Sequence, residues 1–284
     1  MLYYAILTAA VVLFGVQFGF NQLYEKESDG SLRSSFIFIF GTSIVGVPIL
    51  WAVNGAALSC TSFSLIMAVI SSVNMLLCNY CSLKALGKVN LSLFSIFSML
   101  GGMMLPFLTG IIFFDEDLTL GKILCLLILT AAVLVTVDYK EKGPGLLYCA
   151  AVFVFNGMSG VISKLYTSLP YEKVSQAMFS LLCAALSAVI AAFPLILIKK
   201  QPLRLTKKGF FATAGAGAFN RTANYLLLVA LAQLPASVQY PFVTGGVIIV
   251  SFIISCVTGQ KPSKKELVSI LLSFAGIAVL MLVK

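Results

Sequence analysis

Ten apolar runs, each close to the length of a bilayer-spanning helix, follow one another along this chain, and nothing between them is long enough to hold a soluble domain. A spanning helix needs about 20 mainly apolar residues. Runs of that kind lie near 3–23, 34–53, 62–83, 90–113 and 119–137, then near 146–166, 174–198, 209–231, 237–257 and 266–283. Composition agrees, with 60% hydrophobic and only 10% charged residues. A soluble domain carries roughly 25% charged residues, so lipid is the expected solvent. The first run follows Met1-Leu2-Tyr3-Tyr4, which has no basic leader, and is longer than a signal core; it is read as a retained span.

The net charge of +9 does not indicate nucleic acid. The bases sit in short loops between apolar spans, where they set orientation. Loops after odd-numbered spans hold fourteen of them: Lys26, Arg33, Lys84, Lys88, Lys140, Lys142, Lys199, Lys200, Arg204, Lys207, Lys208, Lys261, Lys264 and Lys265. The other side holds Lys122, Lys164, Lys173 and Lys284. The charge count therefore puts the odd loops in the cytoplasm and both termini outside. The seven cysteines lie mostly within apolar runs and read as packing residues rather than a disulfide framework. Cys78 and Cys81 form a C-x-x-C without a second pair or any histidine, so no metal and no cofactor is expected.

The chain divides at Asp138–Gly145, whose Gly143-Pro144-Gly145 cannot comfortably continue a helix. The expected units are 1–138, a connector over 139–145, and 146–284. A shift of 145 pairs Asn79-Tyr80 with Asn224-Tyr225, Ala85-Leu86 with Ala230-Leu231, Ser92 with Ser237, Phe97 with Phe242 and Gly101 with Gly246. A shift of 142 pairs Leu23-Tyr24 with Leu165-Tyr166. Shared hydrophobicity would not align Asn-Tyr, Ser and Gly in one register, so the halves read as a duplication. Five spans is an odd number, which makes the second half inverted. The expected fold is an all-α integral membrane protein of ten transmembrane helices in two inverted five-helix repeats. Such repeats recur in secondary transporters with a midplane site between them.

These features resemble the drug/metabolite transporter superfamily, specifically its ten-helix EamA-like members. The first half reads Ala85-Leu86, Leu91-Ser92 and Phe113-Phe114-Asp115-Glu116-Asp117-Leu118. The second reads Ala230-Leu231, Leu234-Pro235-Ala236-Ser237, Pro241, Gly245-Gly246 and Ala275-Gly276. Phe14-Gly15 and Asn156-Gly157 look like the family's aromatic-glycine signature, and Lys164 matches a basic residue at the end of its sixth helix. Gln260 stands where the second-half Glu would be and Gln22 where span 1 would carry a Lys. The resemblance implies a transporter of small metabolites or drugs, often an exporter. The family is usually drawn with both termini inside, opposite to the charge count.

Polar side chains are costly in a bilayer unless they face a bundle interior or a wet cavity. At 100° per residue, Asn220, Arg221, Asn224 and Tyr225 share an arc of about 140° on span 8. Asn74, Cys78, Asn79 and Ser82 cluster on span 3, Gln17, Asn21 and Gln22 on span 1, and Asn156, Ser159, Ser163 and Lys164 on span 6. Spans 1 and 6 correspond under the repeat, as do 3 and 8, so a shared cavity is expected. Gln17, Asn21, Asn74, Asn79, Tyr80, Asn156, Ser159, Asn220, Arg221, Asn224, Tyr225 and Tyr240 are its candidate lining. Individually, any of these amides or hydroxyls serves equally as interhelical glue.

Arg221 lies mid-span, where insertion costs about 2.5–3.5 kcal/mol, and no carboxylate lies inside any span to pair with it. It is the candidate contact for a substrate anion, with backbone bonding or snorkelling as the alternative. Lys164 is a second such candidate, near a helix end where snorkelling is ordinary. Asp115-Glu116-Asp117 reads as a cap on the fifth span. With no buried acid and no His, a neutral, zwitterionic or anionic solute is expected over a lipophilic cation. The expected function is secondary transport of a small-molecule substrate by alternating access, in efflux, across the bacterial inner (plasma) membrane by a multi-pass monomer or homodimer. A lipid-linked sugar flippase is the alternative. An intramembrane enzyme is disfavoured, since H-E-x-x-H, G-x-S-x-G and paired intramembrane Asp motifs do not occur.

Overall fold

A computed structural model of the chain describes residues 2–29, 31–86, 88, 91–135, 145–197, 206–257 and 264–283. They form ten helices: α1 Leu2–Glu27, α2 Leu32–Val53, α3 Ser62–Leu86, α4 Leu91–Phe113, α5 Leu120–Val135, α6 Gly145–Ser168, α7 Gln176–Leu197, α8 Lys207–Leu231, α9 Ala236–Val257 and α10 Lys264–Leu282. Each of the ten expected spans falls on one helix. Among the described residues six helical segments meet both the length and the apolarity needed to cross a membrane, in α1, α2, α3, α6, α7 and α9. Three further apolar segments, in α4, α5 and α10, are shorter. α8 carries Arg221 with Asn220 and Asn224, which lowers its apolarity.

Local chemistry sets several helix starts. Ser31 caps α2 by accepting from Ser34 N at 3.1 Å, and Thr206 caps α8 by accepting from Gly209 N at 2.9 Å. Thr61 and Ser175 do the same for Ser64 N and Met178 N, at 3.2 and 3.1 Å, at the starts of α3 and α7. Each hydroxyl satisfies a backbone donor that the helix itself cannot.

The packing follows a pattern. α1 lies against α8 and α9, and α6 lies against α3 and α4. α2 packs on α7 and α8, while α7 packs on α2 and α3. α5 and α10 pack on each other and flank α4 and α9. Adding five to each helix number reproduces the main partners of α1, α2, α6 and α7, while the smaller α6–α8, α7–α8 and α5–α9 contacts have no counterpart of similar size among the described residues. Glycines permit the closest crossings: a Cβ at Gly101 of α4 would meet Phe153 O of α6 at 2.1 Å, and one at Gly217 of α8 would meet Thr42 Cα of α2 at 2.8 Å. Small residues at such crossings let backbones approach where lipid supplies no hydrophobic drive between helices. The outer surface is apolar, with Leu127, Val189, Phe193 and Leu271 all more than half exposed.

Two tyrosines repeat one device. Tyr24, near the end of α1, donates to Ser34 O at 2.7 Å, tying α1 to the start of α2. Tyr166, near the end of α6, donates to Val174 O at 2.7 Å, just before α7. These are the residues paired by the 142-position shift. The connector at 139–144, Gln260, the side chains of Gln22 and Ser92, and Lys140, Lys142, Lys199, Lys200, Arg204 and Lys261 lie outside the described residues.

Candidate functional site

A cavity of about 450 Å³ lies among α1–α4 and α6–α9, with no lining residue from α5 or α10 among the described residues. Its size falls in the usual range for small-molecule sites, about 300–1,000 Å³. Helical spacing places its polar side chains. Asn220, Arg221 and Asn224 line it from α8, Asn156, Ser159 and Ser163 from α6, and Cys78 and Asn79 from α3. Residues three or four apart share a helix face, so a stripe in the sequence becomes a wall.

Eight of the expected residues line the cavity: Gln17, Asn79, Asn156, Ser159, Asn220, Arg221, Asn224 and Tyr240. They are partly tied to one another and to backbone. Asn220 Nδ2 donates to Gln17 Oε1 at 2.9 Å, joining α8 to α1. Asn156 Nδ2 donates to Ser98 O at 2.7 Å, and Asn224 Nδ2 to Asn220 O at 2.8 Å. Tyr240 donates to Gly160 O at 3.1 Å.

Asn21, Asn74, Tyr80, Tyr225 and Lys164 are not brought to the cavity lining. Asn74 is glue: its Nδ2 donates to Phe155 O and Ser159 Oγ, both at 2.9 Å, across the α3–α6 contact. Tyr80 and Tyr225 each follow a cavity asparagine, and one residue is a 100° turn. That turn carries Tyr80 to the outer surface, 41% exposed, with Lys84 over its ring. It carries Tyr225 against the apolar cluster around Met178 and Phe179. Asn21 is partly buried, with an Oδ1 lacking a partner. Sequence reasoning missed Ser71, Ser98, Ser180, Cys183, Ser187 and Thr244, together with the aromatic walls Phe14, Phe18 and Phe179. Single hydroxyls in apolar helices gave no stripe to find them by.

Arg221 is buried, 8% exposed. Its Nη2 donates to Ser43 Oγ of α2 at 2.6 Å, and its Nε has no partner. Among the described residues no carboxylate lies within ion-pair distance of it. Gly46 makes room for the stem, since a Cβ there would meet Arg221 Cγ at 2.4 Å. The other lining residues carry no formal charge.

Lys164 has a different role from the anion contact expected of it. Its Nζ lies 2.6 Å from Glu116 Oε1, and both side chains are under a tenth exposed. Glu116 also accepts from Ala236 N and Ser237 N, each at 2.8 Å, at the first turn of α9. The acidic turn was expected to cap the fifth span. Instead Thr119 accepts from Lys122 N at the start of α5, and Glu116 caps α9. Pro235, which precedes α9, has no side-chain oxygen, so the cap comes from another loop. Gly110 leaves space for the carboxylate, a Cβ there being 2.6 Å from Oε2, and Asp115 takes φ 50° beside it. Burial pushes the Glu116 carboxyl upward, but bonds from Lys164, Ser237 and Ala236 outweigh this and hold it below the usual carboxylate range.

A solved crystal structure superposes on 98% of this chain and 95% of its own, with a TM-score of 0.76 and 17% identity. At that identity the likeness shows the fold. It extends through both halves. No curated protein sequence matches. Residues 143–282, which hold α6 to α10, match the EamA-like transporter family. That match makes the second half of the chain similar to EamA-like transporters, consistent with the drug/metabolite transporter superfamily, and it indicates a multi-pass membrane transporter of the drug/metabolite type.

Proposed function

We propose that the protein is a secondary transporter that exports a small neutral, zwitterionic or anionic solute across the plasma membrane by alternating access through the central cavity. The observation carrying this reading is a central cavity lined by four helices from each half, α1–α4 and α6–α9, with amides, hydroxyls and Arg221 set among apolar walls. Polar groups are costly in a bilayer unless they serve a path or a site. The five-helix offset that relates the main packing partners supports two repeats of opposite orientation, with the solute held between them. The Glu116–Lys164 pair joins the α4–α5 loop, the end of α6 and the start of α9. It acts as a closed gate at that end of the bundle. Following the loop charges, that end faces away from the cytoplasm.

Cys78 and Cys183 both line the cavity and give a direct test. In a variant whose sole thiol is Cys183, membrane-impermeant thiol reagents should label it from each face in turn, and a transported solute should protect it. Labelling from one face only, unchanged by any solute, would contradict alternating access.

A further inference from the structure

We infer that the solute carries a carboxylate or phosphoryl group, and that this group docks on Arg221 beside Ser43. This inference rests on the transporter reading and narrows it.

A guanidinium has five N–H donors. Ser43 accepts one, at 2.6 Å, and Nε has no partner. A neutral hydroxyl orients the group but leaves its charge in place. Glu116 does not supply the balance, because it is outside the cavity lining and already held by Lys164 and by the α9 N-terminus. The cavity lining therefore carries a net charge of one positive unit, from a side chain that is 8% exposed. Charge in a low-dielectric interior is strongly unfavourable without a counter-charge. An anionic solute supplies it, and the planar fork of Arg matches the paired oxygens of carboxylate and phosphoryl groups. A cationic solute would meet Arg221 without any carboxylate to shield it.

The rest of the lining describes the remainder of the solute. Asn156 spends Nδ2 on both Ser98 O and Ser98 Oγ, which leaves its amide oxygen on offer, while Asn224 gives one Nδ2 hydrogen to Asn220 O and keeps the other beside its own amide oxygen. Phe14, Phe18 and Phe179 form apolar walls. The body is thus partly apolar and bears a hydrogen-bond donor.

The test uses purified full-length protein and probes that share one body: phenylacetate, phenyl phosphate, phenylacetamide and phenethylammonium. Each is titrated to millimolar concentration while thermal unfolding is followed, in wild type, R221Q, R221K and S43A. Saturable stabilisation by phenylacetate or phenyl phosphate alone is expected, and which of the two is stronger separates the carboxylate from the phosphoryl case. R221Q should weaken it by about tenfold or more and S43A by less, while R221K retains part of it. If R221Q does not fold, S43A and R221K decide the matter through their graded loss. The inference is overturned if the amide or the ammonium stabilises wild type as well as the anions do. It is equally overturned if no anion stabilises the protein, or if anion stabilisation survives unchanged in R221Q and S43A. Those results leave the transporter reading standing, because the labelling of Cys183 from both faces is independent of the solute's charge.

Discussion

Removing Glu116 should cost more than removing Lys164, and the two losses should not add. In E116A the Lys164 ammonium remains under a tenth exposed with its 2.6 Å partner gone, and Ala236 N and Ser237 N lose their acceptor. Stranding one member of a buried ion pair costs about 3–5 kcal/mol. In K164M the carboxylate keeps both backbone donors at a helix N-terminus, which favours negative charge. That variant loses one charged hydrogen bond, about 1.5–3 kcal/mol. In E116A/K164M no unpaired ammonium is left, so the double variant should be no less stable than E116A. The coupling between the two sites should be about 2 kcal/mol, within the range seen for contacting residues. Equilibrium unfolding of the four proteins in mixed detergent micelles measures each term. Equal single losses that sum in the double variant would refute the shared cap on α9.

Three further outcomes follow from the same geometry. The Glu116 carboxyl lies below its unfolded value of about 4.3, so the stability it lends is present above that pH and is lost as pH falls through the folded value. Acid unfolding monitored by circular dichroism should therefore be shallower in E116Q than in wild type. G46V places a side chain onto the Arg221 stem, where even a Cβ would lie 2.4 Å from Cγ. It should cost about 1–3 kcal/mol in unfolding assays and weaken anion binding while leaving the charge in place. N74A, at a residue outside the cavity lining, removes the bonds to Phe155 O and to Ser159 Oγ, whose hydroxyl keeps its own bond to Phe155 O. It should lower stability by about 0.6–1.7 kcal/mol and leave ligand affinity unchanged in thermal titrations.

The helices were legible because length and apolarity identify a spanning segment without reference to its neighbours. Several run past their apolar stretch, α1 to Glu27 and α3 to Leu86, since hydropathy marks the lipid boundary and not the last hydrogen-bonded turn. Arg221 and the Asn220/Asn224 stripe were legible because helical spacing turns sequence into a face. Tyr80 and Tyr225 mark the limit of that argument, one residue past the cavity asparagines and therefore turned away. The function of Glu116 was not legible. Its backbone partners lie 120 and 121 residues along the chain, and no local pattern reports that the α9 N-terminus takes its cap from another loop. Lys164 looked available for an anion because its partner was assigned to the wrong helix.

Solute exchange in proteoliposomes tests the central claim most directly. Wild type should exchange a labelled solute across the bilayer in a saturable manner, and S180W should abolish this by filling the cavity that Ser180 lines, without unfolding the protein. Undiminished exchange in a folded S180W variant would place the path elsewhere and contradict the account.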